Sequence, residues 1–467
     1  MRLRWILLIV TALGLLGTVK PAHTDGVDDY LKAQMAAQHI PGLSVAVVQD
    51  GTVVKTAAYG LSDAETKTPA TLNTLYGLGS CTKPFTAVAV LQLMEAGKVS
   101  LDAPISRYLG GLPAAWSAIT VRELLTHTSG LPNYRLSLNF TKLSDPKYRQ
   151  PNAVAALLAG KPLDFPPGTR FEYSNTNYHL LGRLIEKVSG QSYGAYLASH
   201  QFQAAGMTRA RLSDPPARVP NQAVGYDWNG KTRLPNATFL PGNLDVGDSG
   251  LLSTSGDLVK WTTALASGRL VSDATLKQMI TPGTLTDGTP VSYGLGLVVS
   301  QYKGQTLVGH SGAVPGYSSS IFYFPDSKLT VIVLCNLYTG TPLTDVLALE
   351  VAKRYLPAAP PEAAAPDADP AVTRLLRRTL TALASGKIES GTLTPEMRSL
   401  LTPQVVAQSN QNLAALGTLT TLSFLTRTEQ SGLQVYRYRA VYGTTPVIFQ
   451  IALTQDSKIA GLSFHLE

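Results

Sequence analysis

Before residue 357 the segments that read as β-strands fall into two groups held far apart in the chain, and no other feature constrains the fold as much. The first group is Leu43–Val48 and Thr52–Tyr59, joined by Asp50-Gly51, a strong signal for a two-residue hairpin turn. The second is Gly294–Ser300, Thr306–Gly309, Ser318–Phe324 and Leu329–Leu337. A lone hairpin is only marginally stable in water. The two groups are therefore expected to join in one antiparallel sheet. Helices read at Val27–Gln38 and Pro342–Tyr355 would flank it, and the stretch from Ser80 to about Met279, mostly helical with loops, would pack beside it. The expected class is α/β (α+β): an antiparallel sheet flanked by helices, plus a helical subdomain.

At 467 residues the chain suggests more than one domain, and 44% apolar residues against 15% charged allow a large core. A proline- and alanine-rich tract marks the boundary. The expected division is a leader at 1–24, a main domain at 25–356, a linker at 357–370 and a small α+β domain at 371–467. The small domain reads as helices at Val372–Leu383 and about Pro395–Leu416. Four strands follow, at Thr418–Arg427, Leu433–Val441, Val447–Leu453 and Ile459–His465. Helices followed by a sheet loosely resemble NTF2-like or cystatin-like folds. In Gln434–Val441 the tyrosines share one face and Arg437 and Arg439 the other, because strand side chains alternate. The arginine face is read as solvated, and a partner for this domain is not legible.

The N-terminus has a basic start, Arg2 and Arg4, before an apolar run from Ile6 to Val19. It reads as a secretory signal, with periplasmic or extracellular export expected. An uncleaved N-terminal membrane anchor is the alternative. The net charge is +8, three of it from the leader, and no arginine-aromatic stripe appears, so nucleic acid is not an expected partner. Cys81 adjoins Ser80 and Cys335 lies in the apolar run Leu329–Cys335, and buried free thiols are favoured over a disulfide. No histidine pair has metal-ligand spacing, so neither a metal nor a cofactor is expected.

Chemistry concentrates at Ser80-Cys81-Thr82-Lys83, followed by the apolar helical run Pro84–Met94. Residues three apart share a helix face, so the Lys83 amine can reach back to the Ser80 hydroxyl. A serine needs a neighbouring base to become nucleophilic, and lysine serves only if burial or nearby cations lower its pKa. Two clusters follow in order. Tyr173-Ser174-Asn175 is read on a loop after Pro166-Pro167-Gly168. His310-Ser311-Gly312, just past the strand read at Thr306–Gly309, is read at a strand edge, where glycine would let a substrate backbone come close.

Together these clusters resemble the serine β-lactamase and penicillin-binding-protein superfamily, in the branch of class C β-lactamases, D-alanyl-D-alanine carboxypeptidases and related esterases. Leu124–Pro132, Gly250–Leu258 and Tyr293–Leu297 are similar to that branch too, and the likeness runs from about Val27 to about Leu356. The resemblance implies that Ser80 is acylated and that Lys83 and Tyr173 form the proton-transfer pair. Asn175 would position the substrate and Lys83, and His310 and Gly312 would line the substrate site. The backbone N–H groups of Ser80 and Ala313 would bind the oxyanion. His310 stands where dedicated β-lactamases usually carry lysine, which favours a carboxypeptidase or esterase. A histidine there can titrate near neutrality.

The resulting expectation is a secreted serine hydrolase acting through an acyl-enzyme on D-amino-acid peptides, esters or β-lactams. A slowly turning-over penicillin-binding sensor and a binding pseudoenzyme are the alternatives. Two other motifs are set aside. Gly309–Ala313 lacks the strand-turn-helix setting of a nucleophile elbow, and Gly247-Asp248-Ser249-Gly250 reads as a turn near the cleft.

Overall fold

The computed structural model describes residues 26–138, 145, 147, 150, 152–213, 218–228, 232–235, 246–339, 343–357, 364–401, 406, 410, 413, 417–430, 432–443 and 445–466. The expected leader lies outside the described residues. No described helix is long and apolar enough to cross a membrane. The chain divides into two compact units, with the boundary between Ala358 and Ala359.

The first unit is organised by a seven-stranded sheet. Its strands run in the order Thr68–Pro69, Thr52–Asp63, Gly42–Gln49, Leu329–Cys335, Tyr317–Phe324, Gln305–Val314 and Val298–Tyr302, each antiparallel to its neighbours. The early hairpin and the late strands meet at the centre, where Val45 lies opposite Val333 on one side and Ala57 on the other. Asp50 and Gly51 have φ of 49° and 75°, the left-handed pair that a tight hairpin turn needs.

Both faces of the central strands are covered, which explains their unbroken apolar character. On one face Val45, Val47, Val331 and Val333 pack with Leu31 of helix Val27–Ala37 and with Leu347 and Val351 of helix Leu343–Ala352. On the other, Ala46, Ile332 and Leu334 join a larger core with Phe85, Leu258 and Trp261 of the helical region. Burying each such aliphatic side chain contributes about 1.5–3 kcal/mol. Helix Lys83–Glu95 runs through this second core and is buried nearly all round, which is why its sequence shows no polar face.

Several expected boundaries move, two of them near the Ser80 turn. Gly294–Leu297 is a turn, closed by the Gly294 N–H on the Leu297 carbonyl with Gly296 at φ 84°, and the strand begins at Val298. The strand read as Thr306–Gly309 continues through His310 to Val314.

In the second unit, helix Pro370–Ala384 buries Val372, Leu376, Leu380 and Leu383. These pack with a four-stranded antiparallel meander, Leu419–Gln430, Leu433–Tyr442, Thr445–Leu453 and Ile459–Leu466. Tyr436 and Tyr438 face the core. The end of the expected linker belongs to this unit: the Ala365 N–H donates to the Phe424 carbonyl, and Asp369 caps the helix. In the second expected helical region Pro395–Leu400 is a helix and the described residues Val406, Asn410 and Leu413 are helical; most of the rest lies outside the described residues.

Candidate active site

Ser80 sits in a single 3₁₀ turn, Gly79–Thr82, that leads directly into helix Lys83–Glu95. The turn places Lys83 Nζ 3.0 Å from Ser80 Oγ. Lys83 is fully buried, whereas Ser80 is half-buried. Nζ also donates to Asn175 Oδ1 at 2.8 Å and to the Asp248 carbonyl at 2.9 Å. Both of these are obligate acceptors and hold two of the amine's hydrogens. The third direction points at Ser80. When Lys83 is neutral, its lone pair lies there, aimed at the serine proton.

Burial makes that neutral form accessible by lowering the Lys83 pKa to about 7; Asp248 opposes this shift and Arg135 reinforces it.

Asn175 opens helix Asn175–Ser189 instead of lying on the preceding loop, so its amide is fixed by the first turn. Tyr173 precedes that helix. Its ring centre lies 4.9 Å from Lys83 Nζ, and its hydroxyl is shielded from solvent beside the Ser80 side chain. Burial pushes the phenol pKa far up, partly offset by the Ser80 side chain, so the phenol keeps its proton at neutral pH. His127, at a left-handed φ of 57°, supports this loop. Its Nδ1 accepts from the Ser174 N–H at 3.2 Å, and its ring packs on Tyr173 with centres 4.3 Å apart.

The Gln305–Val314 strand supplies the opposite wall. It pairs with Val298–Tyr302 only as far as Gly309, which leaves its outer edge beyond that point beside the Ser80 turn. The approach is close enough to demand glycine on both sides. A methyl group on Gly79 would lie 2.9 Å from Ala313 N, and one on Gly312 would lie 2.9 Å from Ser80 N and 2.6 Å from Ser319 Oγ. Gly312 therefore makes room for the protein's own Leu78–Ser80 backbone, a reason different from the one its sequence suggested. The backbone nitrogens of Ser80 and Ala313 are brought together, as an oxyanion site requires.

His310 is buried with both ring nitrogens engaged. Nδ1 donates to the Ser311 carbonyl at 2.6 Å, which fixes the tautomer, and Nε2 accepts from the Tyr293 hydroxyl at 3.0 Å. Burial and the nearby Lys83 lower its pKa to about 3. The expectation of a histidine titrating near neutrality is thus corrected: His310 is a neutral hydrogen-bonding group. Cys81, whose thiol donates to the His310 carbonyl, is buried and free, as is Cys335. Burial raises the Cys81 pKa to about 12 and removes it as a competing nucleophile.

With this geometry in view, the family follows. A model described as Beta-lactamase matches residues 27–356.

The chain belongs to the Beta-lactamase family.

It lies within the superfamily of serine β-lactamases and penicillin-binding proteins, which are serine hydrolases. The family match covers every site residue named above. Penicillin-binding protein 4* of Bacillus subtilis (strain 168) is 31% identical over 312 residues, 63% of this chain and 67% of that protein. Protein flp of Staphylococcus aureus (strain MW2) is 28% identical over 67% of this chain; the match spans 62% of that relative, less than two thirds of its length. Among solved structures, the octameric penicillin-binding protein homologue from Pyrococcus abyssi has a TM-score of 0.64 at 25% identity, covering 95% of this chain and 96% of that one. D-amino acid amidase from Ochrobactrum anthropi SV3, complexed with D-phenylalanine, has 0.60 at 27%, covering 70% and 98%. D-stereospecific amidohydrolase from Streptomyces sp. has 0.59 at 27%, covering 71% and 98%.

Sequence reasoning missed Asp248, Arg135, Tyr134 and Tyr293 as site residues. Asp248 is fully buried and accepts from Tyr134 Oη at 3.0 Å and from Arg135 Nη2 at 3.2 Å. Its one signal was a motif set aside as a turn near the cleft. That turn is where it lies, and its carbonyl holds Lys83.

Proposed function

We propose that this protein is a serine amidase or esterase acting through an acyl-enzyme on Ser80, with D-amino-acid amides, esters or short peptides as substrates. The observation that carries this reading is the three-way anchoring of Lys83, which directs its free valence at Ser80 Oγ. Ser80 Oγ attacks the substrate carbonyl and its proton passes to neutral Lys83. The Ser80 and Ala313 N–H groups stabilise the oxyanion, for which each such donor typically contributes about 3 kcal/mol. The protonated Tyr173 hydroxyl gives its proton to the leaving nitrogen or oxygen and is recharged from Lys83. Water then attacks the acyl-enzyme by the same steps in reverse, and Ser80 is restored.

The neutral, internally bonded His310 supports amide and ester substrates over ones that must be held by a terminal carboxylate, because it offers no positive charge. The resemblance to a D-amino acid amidase and a D-stereospecific amidohydrolase points the same way. Export remains our proposal from the basic start and apolar run of residues 1–24. The test is turnover by purified protein on D-phenylalanine amide, a nitrophenyl ester, an acyl-D-alanyl-D-alanine peptide and a chromogenic cephalosporin. The reading expects many equivalents of product from the first two. A single equivalent from every substrate would replace the enzyme with a sensor that acylates and stops.

A further inference from the structure

Behind Lys83 lies a second charged group that the acylation chemistry does not itself use. Asp248 is completely buried, and its Oδ2 accepts from Tyr134 Oη at 3.0 Å, Arg135 Nε at 3.3 Å and Arg135 Nη2 at 3.2 Å. Ser249 Oγ donates to its other oxygen at 3.3 Å and in turn accepts from Arg135. Arg135 stands on the short turn Tyr134–Ser137, packed against helix Asn175–Ser189, and Asp248 on the loop before strand Leu251–Ser253. The pair thus ties together two segments that border Lys83. The same Asp248 supplies the carbonyl that holds Nζ. An unpaired carboxylate buried so near the amine would keep Lys83 as an ammonium, which cannot accept a proton from serine.

We infer that Arg135 and Asp248 are positioning residues for Lys83: Asp248 anchors the carbonyl that orients the amine, and Arg135 cancels the carboxylate's field so that the amine can be neutral. The inference rests on the reading of Lys83 as the base. The other groups facing Lys83 are Ser80, Asn175, the rings of Tyr173 and Tyr178, and the Cys81 thiol, with the neutral His127 and His310 farther round. Among these described groups only Asp248 and Arg135 carry charge. Their influences on Lys83 have opposite sign, the carboxylate holding its proton and the guanidinium expelling it.

Opposite signs give a test that a purely structural role cannot imitate. The acid limb of kcat/KM for an uncharged ester is measured in the wild type, Asp248→Asn, Arg135→Gln, Arg135→Lys and the double variant Asp248→Asn/Arg135→Gln. The limb is expected to move to lower pH in Asp248→Asn and to higher pH in Arg135→Gln, each by about one unit. It should stay in place in Arg135→Lys and return towards the wild type in the double variant. A carbon-13 NMR titration of the Lys83 ε-carbon, assigned by its loss in Lys83→Met, reads the same order without catalysis. If that order holds while the rate limbs ignore it, the tuning stands and the reading of Lys83 as the base falls. If the Lys83 midpoint is the same in all folded variants, the inference is overturned. Should Arg135→Gln fail to fold, the downward shift in Asp248→Asn decides alone.

Discussion

His310 carries one proton, on Nδ1, and the Ser311 carbonyl and the Tyr293 hydroxyl keep it there. Its pKa, lowered to about 3, places its titration far below working pH. The ratio of kcat/KM for a carboxylate-bearing peptide to that for an uncharged ester should therefore stay flat from about pH 5 to about pH 9, a range that spans an ordinary histidine's titration. A fall in that ratio through about pH 6–7 would show an imidazolium binding the carboxylate. Lys83 behaves differently: it is the group whose loss of a proton near pH 7 should raise the activity towards both substrates. At this scale the meeting of Ser80, Lys83, Tyr173 and Asn175 was legible, because each stands in a local motif. Asp248 and Tyr293 were not. Each stands in a short motif, but its contact with Lys83 or His310 is made only by the fold.

The Ser80 turn and the Gln305–Val314 strand meet backbone to backbone, and Gly312 is the hinge of that contact. A methyl group there would overlap the Leu78 carbonyl and crowd Ser80 N. Gly312→Ala should lower stability by about 1–3 kcal/mol, the usual cost of overpacking, measured by urea unfolding. It should also cut kcat by about a hundredfold or more, through displacement of an oxyanion donor. Full activity in the variant would mean that the two segments are not held together as described. The elements themselves were largely legible. The Asp50-Gly51 turn follows from its turn residues, the central strands from short unbroken apolar runs, and the meander of the second unit from alternation. Where reading failed, tertiary contact overrode local pattern. Gly294–Leu297 looks like a strand start, but Gly294 packs against the Met279 and Thr281 carbonyls and the chain turns. The strand looks as if it stops at Gly309, but it is carried on to Val314 by seven paired positions with Tyr317–Tyr323.

At the scale of the whole chain, every candidate catalytic group lies before the boundary at Ala358, and each unit has its own apolar core. Removing residues after Ala358 should leave ester hydrolysis within about tenfold, equivalent to about 1.4 kcal/mol in the barrier. Loss of turnover in a truncated protein that still unfolds cooperatively would give the second unit a part in the site. The two-part organisation was legible because the proline- and alanine-rich tract interrupts both hydrophobic patterns. The measurement that bears most directly on the central claim is intact-mass analysis after treatment with a fluorophosphonate, followed by peptide mapping. The account predicts one adduct per chain, on Ser80, absent from Ser80→Ala and strongly slowed in Lys83→Met. An adduct that persists in folded Ser80→Ala, or that maps to Ser249 or Ser311, would contradict it.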